Sequence, residues 1–156
     1  MTLKQRVEEL LQEALKVRKD LFIIELNISS DNKINVIIDG DKGITLNDCI
    51  EISRSIEHPL NEDEFDFSLE VMSPGATEPL IDKRQYNKNI GRTLEVKTVD
   101  GSKFEGVLSL ANDERFQLVW KERQPKPIGK GKVTVTLEKM LSFSEVKESK
   151  VKIKFN

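Results

Sequence analysis

Residues 69–80 read LEVMSPGATEPL, a stretch in which a β-strand runs directly into a rigid turn. The apolar residues before the turn alternate with polar ones, the pattern of a half-buried strand: Phe65, Phe67, Leu69 and Val71. Ser73-Pro74-Gly75 then supplies Pro for the first and Gly for the second central position of a type II turn. Together with Pro79, these three residues form a predicted turn between two domains.

The balance of charge also changes at this turn. Residues 1–82 carry 8 Lys and Arg against 18 Asp and Glu, whereas residues 83–156 carry 17 against 9. Such asymmetry indicates a partner of mixed charge, such as a nucleic acid carrying basic proteins. Net charge bears on association and not on fold. Two ordinarily solvated surfaces therefore explain the charge asymmetry equally well.

Composition excludes several classes of protein. With one Cys, the chain forms no intrachain disulfide, and no apolar run reaches the roughly 18 residues of a membrane span. The first 19 residues show a helical pattern of mixed charge and lack the apolar block of a secretory signal. The sequence therefore predicts a soluble cytoplasmic protein with no membrane contact.

The first half of the chain predicts the order α-β-β-α-β. Apolar residues recur at helical spacing from Leu3 to Val17, and two alternating segments, 22–28 and 34–38, indicate a hairpin. Thr45 and Asp48 resemble a capping box, which begins a second helix that we expect to stop before Pro59. The strand before the turn completes an acidic α/β domain over residues 1–80.

The second half predicts a small all-β barrel. Asp82 caps a short helix over residues 83–90, with Gly91 as its stop, and residues 81–91 form a linker helix between the domains. Gly106 suits a bulge or sharp bend, although a strand glycine is also sometimes neutral. Five short strands are expected over 94–99, 103–110, 116–121, 133–137 and 142–146. The fold class is α+β, with a basic barrel domain over 92–156.

Motifs for catalysis and metal binding are weak throughout. His58 is the only imidazole, and Cys49 falls on the apolar stripe of its helix, so neither a zinc site nor a nucleophile is expected. The loop 39–43 lacks the Gly and Glu positions of an EF-hand. Residues 40–43 spell the GxxG of KH domains, but Asp41 within it would repel phosphate. We expect no catalytic residue, no metal and no cofactor.

A basic segment is the stronger signal for binding. Five cations crowd a stretch that also contains Pro125, Pro127, Gly129 and Gly131: Lys121, Arg123, Lys126, Lys130 and Lys132. We expect them to project from a long loop that follows phosphates, or to form a flexible loop of no consequence. Phe104 and Trp120 are expected in the barrel core rather than stacked on bases. The role of the tail over 148–156, edge strand or loose extension, stays open.

Several blocks, in order, resemble the bacterial ribosome maturation factor RimP family. They are Asp39, the run Gly43-Ile44-Thr45-Leu46-Asn47-Asp48-Cys49, Leu69-Glu70-Val71, Ser73-Pro74-Gly75, Pro79-Leu80 and the helix from Tyr86 to Gly91. The resemblance implies an α/β domain followed by an SH3-like or Sm-like barrel. It also implies a non-enzymatic factor that binds the free small (30S) ribosomal subunit and assists its late assembly, and we expect this factor to be a monomer. Ala76-Thr77-Glu78 replaces the usual Leu-Asp-Arg, so the family's arginine contact is not carried over.

The implied partners are rRNA and a basic ribosomal protein near the decoding centre. Candidate contacts to the protein are Asp39, Asp41 and Glu70. Candidate contacts to rRNA are Lys83, Arg84, Lys88, Arg92, Lys121, Arg123, Lys126, Lys130 and Lys132. The alternatives are an Sm-like RNA-binding regulator, which would normally lack an acidic α/β domain, and an RNA-processing enzyme, which would need clustered acid, base or metal groups.

Overall fold

The computed structural model describes residues 2–75 and 78–153 and separates into two compact units between residues 75 and 76. Residues 1–75 carry 8 Lys and Arg against 16 Asp and Glu, and residues 76–156 carry 17 against 11, so the first unit is acidic and the second basic. No helix in the described ranges is long and apolar enough to cross a membrane. The division predicted from the sequence, into domains 1–80 and 92–156 with a linker helix over 81–91, stays a prediction.

The first unit packs two helices against a three-stranded sheet. Its elements are α1 (Leu3–Val17), β1 (Leu21–Ile28), β2 (Lys33–Gly40), α2 (Leu46–Glu62) and β3 (Ser68–Met72). The strand order is β1-β2-β3, with β1 and β2 antiparallel and β2 and β3 parallel. A parallel pair needs a crossover connection, which α2 supplies. The predicted order α-β-β-α-β is therefore confirmed.

The predicted beginning of α2 is also confirmed. The Oγ1 of Thr45 accepts a hydrogen bond from the Asp48 N–H, and the Asp48 carboxylate accepts one from the Thr45 N–H. One apolar stripe from each helix meets the sheet in a single core. Its buried members are Val7, Leu10, Leu11, Leu21, Ile34, Val36, Ile38, Cys49, Ile52, Ile56 and Leu60.

The predicted end of α2 before Pro59 is wrong. The helix continues to Glu62 with Pro59 inside it, and Leu60 in the added turn is fully buried. Proline removes one N–H from a helix and clashes with the carbonyl four residues back. Burial of Leu60 offsets that cost, and the Arg6 Nε, 2.7 Å from the Asp63 carboxylate, ties this end of α2 to α1.

The second unit is one antiparallel sheet with a short helix. Its elements are α3 (Lys83–Lys88), β4 (Thr93–Thr98), β5 (Lys103–Ala111), β6 (Arg115–Pro125), β7 (Lys132–Ser142), a 3₁₀ turn (Phe143–Glu145) and β8 (Val146–Val151). The strand order β7-β6-β5-β4-β8 leaves β7 and β8 at the edges, and no ladder joins them among the described residues. A closed barrel is thus not observed, and the likeness to SH3-like or Sm-like barrels stays a prediction.

Aromatic contacts fix α3 to the core of this sheet. The ring of Tyr86, buried on α3, lies 4.9 Å from those of both Phe116 and Phe143, measured between centroids. Asp82 caps α3 as predicted, but the helix ends at Lys88 with Asn89 as its C-cap, and Gly91 follows two residues later with a φ of 95°. Phe104 and Trp120 pack against the same core, which confirms their expected place there.

Two predictions about these strands are corrected. The fifth strand is Val146–Val151, because residues 143–145 form a 3₁₀ turn where we expected a strand over 142–146. The beginning of the tail therefore belongs to an edge strand, while residues 154–156 lie outside the described chain. Gly106 forms no bulge: the pairing shifts between Leu108 and Leu110 instead.

Candidate nucleic-acid interface

Strands β6 and β7 extend beyond the rest of the sheet as a two-stranded arm. The pairing of β5 with β6 runs only from Ala111 and Phe116 to Val107 and Val119. The pairing of β6 with β7 continues without a break to Pro125 and Lys132. We call residues 120–137 the arm. Its two strands are connected by the loop 126–131.

The arm corrects the predicted location of the basic segment. Lys121 and Arg123 lie on β6 and Lys132 on β7, so only Lys126 and Lys130 occupy a loop. The several Pro and Gly residues of this segment favoured a long loop in the sequence. The strand predicted over 133–137 is confirmed as part of β7, whereas residues 122–125, which we expected in the loop, continue β6.

Strand alternation places the strand cations on one face of the arm. Successive side chains of a strand point to opposite faces, and directly paired residues share a face. Lys121 pairs with Thr136, Arg123 with Thr134 and Pro125 with Lys132. The basic face of the arm therefore comprises Lys121, Arg123, Lys132, Thr134 and Thr136, all of which are exposed.

The opposite face of the arm is mainly apolar. It carries Trp120, Glu122, Gln124, Val133, Val135 and Leu137. Glu122, the one acid between the strand cations of β6, thus points away from them, and its carboxylate accepts a hydrogen bond from the Gln124 amide at 3.0 Å. Glu138, which pairs with Val119, ends the basic face at the base of the arm.

Arg123 is held in place across the arm. Its Nη1 lies 3.0 Å from the Thr134 Oγ1, and its Nη2 lies 3.2 Å from the Lys132 carbonyl oxygen. These two bonds engage part of a guanidinium that has five N–H donors. A guanidinium that is already oriented loses less side-chain entropy on binding a phosphate than a freely rotating side chain does.

The loop at the end of the arm is closed by its own backbone. The Lys126 N–H donates to the Gly131 carbonyl at 3.1 Å. Gly129 and Gly131 have φ values of 86° and 94°, a region that glycine adopts without strain. Lys126 and Lys130 flank Ile128, whose side chain is 90% exposed. Sequence reasoning did not single out Ile128, because its neighbours suggested an ordinary polar loop.

The other predicted rRNA contacts lie on and after α3. The Lys83 Nζ lies 5.5 Å from the centroid of the Phe143 ring, a cation–π contact. Arg84 and Lys88 are half-buried on α3, and the side chain of Arg92 is exposed just before β4. These four residues thus lie outside the arm, on α3 and just before β4.

The predicted contacts to a ribosomal protein differ in exposure. Asp39 is only 1% exposed, and its Oδ1 accepts a hydrogen bond from the Gly40 N–H at 2.8 Å. Asp41 and Glu70 are exposed, the first after β2 and the second on β3. Of the three predicted contacts, only Asp41 and Glu70 are therefore exposed, while Asp39 is buried.

The predicted interdomain turn falls at the boundary between the units. Ser73, Pro74 and Gly75 end the first unit, and Pro79 belongs to the second. The fourth residue of the turn, Ala76, lies outside the described residues, as does Thr77. The type II geometry is therefore still a prediction.

A four-residue ionic cluster in the first unit was not predicted. The Arg18 guanidinium contacts the carboxylates of Asp20, Asp48 and Glu51, at 3.0, 2.9 and 2.5 Å. These contacts raise the pKa of Arg18. The Thr45 N–H and then Arg18 hold the pKa of Asp48 below its ordinary value. The cluster joins the end of α1 to the first two turns of α2 and so supports the fold rather than a reaction.

Groups that could perform catalysis are sparse. Within residues 2–75 and 78–153, no three His, Cys, Asp or Glu side chains come together as a metal site. Cys49 is buried, and burial raises the pKa of its thiol, which disfavours the reactive thiolate.

Comparison with known proteins covers almost the whole chain. Residues 9–77 match the family model described as the RimP N-terminal domain. The chain is 51% identical to the ribosome maturation factor RimP of Christiangramia forsetii, over 98% of this chain and 99% of that protein. It is 45% identical to the protein of the same name from Flavobacterium psychrophilum, over 99% and 100%. For that of Cytophaga hutchinsonii the identity is 33%, over 99% and 96%.

Proposed function

This chain belongs to the ribosome maturation factor RimP family, and on that premise we propose that it binds the free small ribosomal subunit and assists its late assembly. A role in ribosome maturation follows from relatives that match it from end to end. In this proposal it acts in the cytoplasm, as a monomer, by binding alone and without covalent catalysis. The observation that carries the proposal is the basic face of the arm.

The arm suits the phosphate backbone of rRNA. Lys121, Arg123 and Lys132 share one face, and none of their side chains pairs with a carboxylate within salt-bridge distance among the described residues. Cations arranged in this way release counterions from RNA when they approach its phosphates, which drives association without reading sequence. Lys126 and Lys130 extend the same charge to the end of the arm. We assign the rRNA contact to this surface, with Lys83, Arg84, Lys88 and Arg92 as a second group of candidates.

The acidic first unit suits a basic ribosomal protein near the decoding centre. Its 16 Asp and Glu residues against 8 Lys and Arg would repel rRNA but attract a basic protein. The exposed carboxylates of Asp41 and Glu70 are our candidates for this contact, and the turn Ser73-Pro74-Gly75 with Pro79 connects the two binding units.

Sedimentation tests the proposed function directly. The protein should migrate with free or immature small subunits in a sucrose gradient and be nearly absent from translating ribosomes. A strain that lacks it should accumulate precursor small-subunit rRNA, especially in the cold. Normal subunit profiles and fully processed rRNA in that strain would argue against the proposal.

Charge reversal tests the protein contact separately. The double variant Asp41→Lys/Glu70→Lys should weaken binding of the full chain to the isolated basic ribosomal protein, measured by calorimetry at low salt. Glu8→Lys/Glu57→Lys is the matched control, since these two exposed acids lie on α1 and α2. Equal weakening by both pairs would show that only net charge matters and would refute the assignment to Asp41 and Glu70.

A further inference from the structure

Ile128 occupies an unusual position for an apolar side chain. At 90% exposure it is the most exposed large apolar residue in the described part of the chain. Single apolar side chains on a surface are common and need no explanation by themselves. What distinguishes Ile128 is its place at the end of an arm that projects beyond the sheet.

The loop presents Ile128 on a constrained backbone. Pro127 precedes it and fixes its own φ, while Gly129 follows it with a φ of 86°. The hydrogen bond from the Lys126 N–H to the Gly131 carbonyl closes the loop beneath it. A side chain held in this way loses little backbone entropy when it is inserted into a partner.

The charges around Ile128 decide the kind of partner. Lys126 precedes Ile128 by two residues and Lys130 follows it by two, and the basic face of the arm continues from this loop along both strands. A surface that meets all of these groups must be apolar at one point and anionic around it. Stacked bases flanked by phosphates have that chemistry.

The type of side chain favours insertion over stacking on a base. Proteins that stack on single-stranded bases use aromatic rings, and the only aromatic residue of the arm, Trp120, packs at its base against the core. Aliphatic side chains such as Ile are used instead as wedges that enter between base steps and partly unstack them.

We propose that Ile128 is such a wedge: it inserts between two stacked bases of rRNA, while Lys126 and Lys130 hold the phosphates on either side. The inference rests on the proposed function, because it assumes that the arm meets rRNA. It adds that the arm locally deforms the RNA instead of only lying along it.

Chemical probing of purified free small subunits tests this inference. Reactivity of the rRNA 2′-hydroxyls is measured with saturating wild-type protein, with Ile128→Ser and with Val99→Ser. Val99 is a suitable control because it is 68% exposed in the turn between β4 and β5, away from the arm in sequence. Thermal melting of both variants checks that they fold.

The wedge predicts one local effect for wild type and for Val99→Ser. Reactivity should rise at the nucleotides of one base step next to a protected backbone segment. Ile128→Ser should keep the protection and lose the increase. Its affinity should fall on the order of 10- to 100-fold, the equivalent of burying one Ile side chain. Its slope of log K against log salt should stay unchanged, because no charge is removed.

Two results would overturn the wedge while leaving the proposed function intact. The first is the same increase in reactivity with Ile128→Ser as with wild type. The second is unaltered RNA reactivity together with weaker binding of Ile128→Ser to an isolated ribosomal protein, which would place Ile128 in a protein pocket. Absence of any rRNA protection by wild type would instead refute the proposed contact between the arm and rRNA, and the wedge with it.

Discussion

Gly106 shows how the absence of one side chain shapes the sheet of the second unit. A Cβ at this position would lie 2.9 Å from the carbonyl oxygen of Val119 and 3.2 Å from its backbone N and C. Backbone atoms cannot move aside as a flexible side chain does. Gly106 thus permits a close approach of β5 to β6 at the base of the arm, which a sequence pattern cannot distinguish from a bulge.

Gly106→Ala should therefore destabilise the protein by about 1–3 kcal/mol through overpacking. Chemical denaturation measures the change, and Lys103→Ala, an exposed position on the same strand, is the control. A variant as stable as wild type would mean that β5 and β6 separate without cost.

Arg18 predicts a dependence of stability on pH. Its guanidinium is the main cause of the lowered pKa of Asp20, and it also lowers the pKa of Asp48 after the Thr45 N–H. A carboxyl group whose pKa is lower in the folded state stabilises the fold above its unfolded pKa of roughly 4. That stability is lost as pH falls through the lower, folded value.

Arg18→Gln should consequently lose stability at pH 6 but little at pH 2, so its melting temperature should fall less than that of wild type as acid is added. Arg54→Gln, an exposed arginine on α2, should follow the wild-type curve. Parallel curves for Arg18→Gln and wild type would show that these contacts contribute nothing to folding.

At the scale of elements, α2 shows a tertiary contact overriding a local signal. Pro59 predicts a helix end, but Leu60 is completely buried and extends the stripe of Ile52 and Ile56 by one turn. Leu60→Ala should cost about 2–5 kcal/mol, as expected for a cavity in a core, whereas the exposed neighbour His58→Ala should cost little. Calorimetric unfolding distinguishes the two variants. A small loss of stability for Leu60→Ala would instead support a helix that ends before Pro59.

Local signals explain which elements were predictable. The capping box at Thr45 and Asp48, the hairpin of β1 and β2 and the cap of α3 at Asp82 all depend on residues a few positions apart. The arm was not predicted, since β6 and β7 pair across a loop whose Pro and Gly residues favour irregular structure. The two faces of the arm depend on that pairing. The placement of Lys121 and Glu122 on opposite faces was therefore not predicted either.

At the scale of the whole molecule, the first unit is acidic and the second is basic. The sequence shows a change of charge and predicts a turn near Gly75, and the structure divides the chain into its two units there. The sequence also contained every cation of the basic segment. What it lacked was their arrangement, because the pairing of β6 with β7 places Lys121, Arg123 and Lys132 on one face.

The salt dependence of binding to free small subunits tests the central claim, that the basic face of the arm contacts rRNA. The variant Lys121→Ala/Arg123→Ala/Lys132→Ala removes three cations from that face. The control Lys103→Ala/Arg115→Ala/Lys147→Ala removes two lysines and one arginine from exposed positions of the same unit off the arm. Each lost phosphate contact should reduce the slope of log K against log salt by roughly 0.7–0.9, so the arm variant should lose roughly 2–3 and the control almost nothing. Equal slopes for the arm variant and wild type would contradict the claim.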